Sequence, residues 1–127
     1  MAGIKPVVKK YYEVIEEKLP SDQASNSYIR WLLTDKDGAN NFFMRLFRME
    51  KGGHINAHFH PWEHEIFIVE GNGKIKIGSK IYEISSDNFI YIPPNINHEY
   101  WADTDLKFIC IIPSKPTAEK VERPIEA

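Results

Sequence analysis

Turn-forming residues recur so often between Phe42 and Ile112 that no segment there reads as a long helix. Gly52-Gly53, Pro61, Gly71-Asn72-Gly73, Gly78-Ser79 and Pro93-Pro94 divide this region into short pieces. The pieces are rich in β-branched and aromatic residues, the composition of strands. A helical bundle needs longer periodic segments, and a doubly wound α/β fold needs crossover helices for which there is no room. An antiparallel, all-β barrel or double-sheet sandwich remains.

The strand candidates follow from this punctuation. Tyr28–Leu33 and Phe42–Met49 come first, separated by a turn at Asp37-Gly38. The second carries apolar groups on both faces, so one face suits the core and the other an N-terminal arm or a subunit partner. Gly52-Gly53 is expected to break it. His54–His60 reads as a short strand or arm, and Glu65–Glu70 as a strand closed by a tight connection at Gly71-Asn72-Gly73. Lys74–Ile77 alternates, which turns Ile75 and Ile77 inward. Lys80–Ile84, Phe89–Ile92, Tyr100-Trp101 and Lys107–Ile112 complete the set. Residues 20–27 read as a loop. Segment 7–19 has apolar residues at helical spacing but suits a short helix and an extended arm equally. Residues 114–127 form a polar tail.

With 127 residues the chain suits one domain, spanning 1–127 around a barrel core of about 40–113. Sixteen basic residues against eighteen acidic give a net charge of -2, which does not favour a nucleic-acid partner. The apolar runs are too short for a membrane-spanning helix. The start lacks a signal peptide's apolar run, and one cysteine, Cys110, rules out an intrachain disulfide; both fit a cytoplasmic location. Cys110 lies in the apolar run FICII and reads as a buried free thiol.

The histidines carry the chemistry. Four of the five, His54, His58, His60 and His64, fall within eleven residues, and the fifth is His98. In a strand, His58 and His60 would face the same side about 6.5–7 Å apart, close enough to converge on one ion. Pro61-Trp62 allows a bend that returns His64 to the same pocket, and His98 arrives from a distant strand. An exposed pair, or two hydrogen-bonded core histidines, is the competing account of that spacing.

The histidine pattern resembles that of a small single-domain cupin, of the RmlC-like superfamily. Gly52, five residues, His58, His60, three residues, His64, six residues and Gly71 follow its first motif. In the second motif Pro93 and His98 hold their places, while Asp87, Asn95 and Ala102 stand where glycine, glycine and asparagine are usual. The resemblance implies a double-stranded β-helix, or jelly roll, and a divalent metal. Many cupins use glutamate as the third ligand in sequence, so His64 and Glu65 compete. The count back from Gly71 selects His64, and a count of four on from His60 selects Glu65. Adjacent strand residues point to opposite sides, and we take His64. The stretch HFHPWEHE resembles a manganese-binding subgroup with four histidine ligands, which gives His58, His60, His64 and His98 as metal ligands and catalytic centre.

Four neutral imidazoles leave a divalent ion close to its full charge, a centre suited to anionic or enolisable oxygen ligands. Manganese and iron are favoured by the resemblance, while zinc, nickel, copper and cobalt also suit nitrogen donors. The leading expectation is a dioxygenase-like oxidoreductase acting on a small organic molecule. The alternatives are a non-redox isomerase, lyase or decarboxylase, and a non-catalytic binding module. Phe67, Tyr91, Trp101, Phe108 and Cys110 are candidates to shape the pocket, and a homodimer is the expected assembly.

Overall fold

The computed structural model describes residues 5–114; the polar tail assigned to 114–127 therefore lies, beyond Ser114, outside the described residues. Among the described residues, nine strands form one curled antiparallel sheet: β1 Glu17–Lys18, β2 Ala24–Leu33, β3 Phe42–His58, β4 His64–Glu70, β5 Asn72–Ile77, β6 Lys80–Ser85, β7 Phe89–Ile92, β8 His98–Ala102 and β9 Leu106–Pro113. The order β6-β5-β8-β3-β9-β4-β7, with β2 and β1 added beyond β3, wraps it into a jelly-roll half-barrel. This is the antiparallel all-β architecture that the turn spacing implies.

Period-2 alternation sets the interior. Leu106, Phe108, Cys110 and Ile112 of β9 all point inward, as do His64, Ile66 and Ile68 of β4 and His98, Tyr100 and Ala102 of β8. Phe47 stacks on Phe108, its register partner, at 5.0 Å between ring centroids, and Phe108 stacks on Tyr100 at 5.5 Å. These parallel rings fill the barrel beneath the histidines.

Several local expectations are corrected. Residues 20–27 are not all loop, since Ala24 begins β2 and pairs with Ile55. Cross-strand pairing outweighs the turn-forming composition of ASNS, and Asn26 absorbs the irregularity with a φ of 50° at the register shift. Gly52-Gly53 does not end the strand. β3 runs on to His58, but its inner partner changes there from β9, paired with Phe42–Met49, to β8, paired with His54–His58. Glycine allows this bend: Gly52 has φ 84°, and a Cβ on Gly53 would lie 2.8 Å from the Glu50 carbonyl oxygen. Gly71-Asn72-Gly73 is a corner, not a hairpin, because β4 pairs with β7 and β9 while β5 pairs with β6 and β8.

Segment 7–19 is an extended arm with one 3-10 turn at Tyr11–Glu13. Polar contacts pin it across the outer side of the sheet. Glu16 pairs with Arg48 at 2.8 Å, Arg30 donates to the Val14 carbonyl, and Lys107 Nζ donates to the Tyr11 hydroxyl. Beneath it Leu46 is buried on the outer face of β3, while Phe42 on the same face stays exposed, so the second apolar face of β3 is covered within the chain only in part.

Candidate metal centre

His58 ends β3 and His98 begins β8, and the two are register partners. Their rings approach to 4.4 Å between centroids. His60 lies outside the strand, in the turn before β4, so the HxH pair does not sit on one flat strand face. The turn still brings its ring to 5.5 Å from His58 and 5.1 Å from His98. Two contacts set it there: Trp62 stacks on it at 3.9 Å, and the His60 carbonyl accepts from the Asn95 backbone N–H. Asn95 has φ 64°, a conformation asparagine tolerates well, which explains how it serves at a position where glycine is usual.

One ring nitrogen from each of His58, His60 and His98 lies within 4.8 Å of the others, a group able to hold a divalent metal. The other nitrogens fix the tautomers. Nδ1 of His58 donates to the Asn56 carbonyl at 2.8 Å, His60 Nδ1 to that of Trp62 at 3.0 Å, and His98 Nδ1 to that of Ile96 at 2.9 Å. Each Nε2 is then left with a lone pair. Those of His58 and His98 are buried with no hydrogen-bond partner, an arrangement that costs free energy unless something takes the lone pairs. Metal-ligating histidines are held in this way, the second nitrogen donating to a carbonyl. The residues fit a metal, and no choice between manganese, iron and other divalent ions follows from them.

His64 is fully buried on β4, while Glu65 beside it is exposed and points away from the cluster. His64 Nε2 lies 2.8 Å from His60 Nε2, and its ring is 5.0 Å from that of His98. His54 faces outward, stacked on Trp101 and bonded to Glu99. Burial pushes the His60 pKa down to about 3, with the like charges of His98 and His58 adding to it. Burial likewise lowers His98 to about 4 against its hydrogen bond to Ile96, and lowers His64 well below the usual imidazole range. All three are neutral near pH 7, the form that binds metals.

Phe108 and Cys110 do lie inside the barrel, but Phe67 and Tyr91 are exposed and Trp101 belongs to the outer face with His54. Missing from the sequence reading were Arg45 and the buried role of Tyr100. Arg45 has no exposed surface and donates from Nη2 to Cys110 Sγ at 2.9 Å. Parity held the signal: Phe43, Arg45, Phe47 and Met49 share one face of β3, and the three apolar members mark it as the core face.

A jelly-roll β scaffold with histidines from two distant motifs clustered at one point defines a class. Residues 45–112 match the model of the cupin domain, and the chain belongs to the cupin family. Solved structures agree on the fold. The polyketide cyclase RemF from Streptomyces resistomycificus superposes with a TM-score of 0.82 at 24% identity, covering 87% of this chain and 81% of that one. A cupin-2 domain protein from Rhodospirillum rubrum gives 0.75 at 22% identity, with 94% and 81% covered. A predicted oxalate decarboxylase from Thermotoga maritima gives 0.74 at 20% identity, with 85% and 99% covered. Comparison with curated protein sequences yields no match.

Proposed function

We propose that this cupin is a metal-dependent enzyme of the non-redox kind, a cyclase, isomerase, lyase or decarboxylase acting on a small oxygen-chelating organic molecule. One observation carries the reading: buried Nε2 lone pairs, fixed by main-chain hydrogen bonds, converge on a point where, among the described residues, no carboxylate joins them. His58, His60 and His98 would hold the ion, with His64 as the fourth ligand. A divalent ion bound there supplies Lewis acidity, polarising a carbonyl or enolate oxygen. Neutral donors leave its charge uncancelled, which favours an anionic substrate over a neutral one.

The chain's own residues supply the rest. Their hydrogen bonds hold the rings in place before substrate arrives, and the stacked Phe47, Phe108 and Tyr100 exclude water from below. A cleft of about 570 Å³ opens between β5, β6 and β7, walled by Ile77, Ile84, Phe89, Ile90 and Ile96. Ile96 also accepts the His98 hydrogen bond, and Ile77 is the register partner of His98. An apolar substrate body would therefore lie along a wall shared with the metal centre. Two structures to which the chain is similar, a polyketide cyclase and a predicted oxalate decarboxylase, support non-redox chemistry over the dioxygenase expectation.

The test is turnover of a panel of β-keto acids, polyketide-like polyketones and dicarboxylates by zinc-loaded protein under anaerobic conditions. Product formed without oxygen, and lost in His58→Ala, is expected. Turnover only with manganese or iron and dioxygen would return the reading to oxidoreductase. A homodimer is also proposed, with a location in the cytoplasm. Exposed Phe42, Phe67, Phe89 and Tyr91 support self-association, and a monomer in light scattering would end that part alone.

A further inference from the structure

His64 is held differently from the other three rings. His58, His60 and His98 each donate through Nδ1 to a main-chain carbonyl two residues away. The Nδ1 of His64, within strand β4, instead faces two side chains: Cys110 Sγ at 2.9 Å and Arg45 Nη2 at 3.3 Å. All three residues have no exposed surface. Arg45 and Cys110 are themselves register partners on β3 and β9, so the backbones of two paired strands carry the contact.

Resting on the four-histidine reading above, we propose that Cys110 and Arg45 are positioning residues for His64. The sulfur accepts the His64 Nδ1–H and so turns the Nε2 lone pair toward the metal. Donor chemistry leads to this assignment. A guanidinium only donates, so of the two groups facing Nδ1 the sulfur alone can accept a proton from it. The Arg45 bond to the same sulfur fixes where it sits. The Phe47 ring 5.1 Å from the guanidinium carbon, and that of Trp31 at 5.5 Å, hold Arg45 in turn. With the sulfur removed, the group left beside Nδ1 is a donor. It favours the opposite tautomer, whose Nε2–H points at His60 Nε2, 2.8 Å away. That tautomer has no lone pair for an ion at Nε2. Cys110 thus decides between a three-imidazole and a four-imidazole centre.

The test uses the full chain, stripped of metal and titrated with zinc, as wild type, His64→Ala, Cys110→Ala, Cys110→Ser and the double variant His64→Ala/Cys110→Ala. Nitrogen NMR of labelled histidine reports each tautomer, and X-ray absorption counts bound imidazoles. In zinc-loaded wild type, His64 carries its proton on Nδ1 and four imidazoles are bound. Cys110→Ala weakens zinc binding by about 10–100-fold, the range for outer-shell changes, and loses one imidazole. Cys110→Ser, whose oxygen also accepts, restores both. In the His64→Ala background, Cys110→Ala has no further effect on zinc affinity.

A proton on His64 Nε2 in zinc-loaded wild type would overturn the proposal without any variant, so it is testable even if Cys110→Ala fails to fold. Equal losses from Cys110→Ala with and without His64 would also overturn it, since that marks a packing role. If wild type binds zinc through three imidazoles, the proposal fails and the three-histidine centre survives. If wild type binds no zinc, the centre itself fails.

Discussion

His58 and His98 face each other directly across the β3–β8 ladder, register partners forty residues apart with rings 4.4 Å between centroids. The first and second histidine motifs are thereby joined by main-chain pairing, and not only by side chains that happen to meet. A one-residue slip of β8 would turn His98 to the outer face and bring Glu99 inward. The histidine cluster able to hold a metal therefore depends on the register of this one pair.

Removing either partner tests that dependence. His58→Ala and His98→Ala are expected to lower affinity for zinc or manganese by more than about 100-fold, beyond the range of outer-shell changes. Far-ultraviolet circular dichroism should remain that of the wild type, because neither ring fills the aromatic stack. Competition with a coloured chelator reads the affinity. Retained affinity in both variants would remove the site.

Glu65 and His64 give the sharper comparison. Glu65 is exposed on the far face of β4, and Glu65→Gln should leave metal affinity unchanged and stability within about 0.5 kcal/mol. His64→Gln should weaken the metal measurably. Isothermal titration of both variants checks this, and the opposite ranking would restore the carboxylate as ligand.

How far this was legible in the sequence depends on range. Strands such as Phe89–Ile92 sit where alternation and turn residues put them, because those signals are local. The histidine cluster was legible because the spacing of His58 and His60 suggested a shared pocket and the cupin resemblance added His64 and His98 to it as ligands. The continuous β3 was not. A break at Gly52-Gly53 and a bend there have the same local signature, and only the change of partner from β9 to β8 distinguishes them. Arg45 escaped for a related reason: arginine is rarely fully buried, and its partner Cys110 lies sixty-five residues away.

Acid should destabilise the metal-free protein over a defined window. Burial holds His60 at about 3 and His98 at about 4, both below the ordinary 6.5 that applies once the chain unfolds. Between those values the unfolded state binds more protons than the folded one, so stability rises with pH. The contribution is fully present above about pH 6.5 and is lost as pH falls toward 4 and then 3. Thermal melts of chelator-treated protein from pH 8 to pH 4 should show a Tm that falls mainly below 6.5. His98→Gln should flatten that fall, and an unchanged slope would show that these imidazoles are not what titrates.

The corner at Gly71 gives the prediction about the scaffold. Its φ of 90° lies where a side chain is strained, and a Cβ there would stand 1.9 Å from the Asp105 carbonyl oxygen. That oxygen belongs to backbone at the start of β9, whose Phe108 and Cys110 line the barrel beneath the histidines. Relief of the clash must move β4 away from β9 at this end, separating Ile68 from Phe108 in the ladder. Gly71→Ala should therefore cost more than the roughly 1 kcal/mol of a left-handed backbone alone. Gly38→Ala is the control, since Gly38 has φ 87° but nothing within 4 Å of the added carbon. Urea unfolding of the two variants should give a clearly larger loss for Gly71→Ala. Equal losses would mean that backbone conformation, and not the approach of β9, is what requires glycine at the corner.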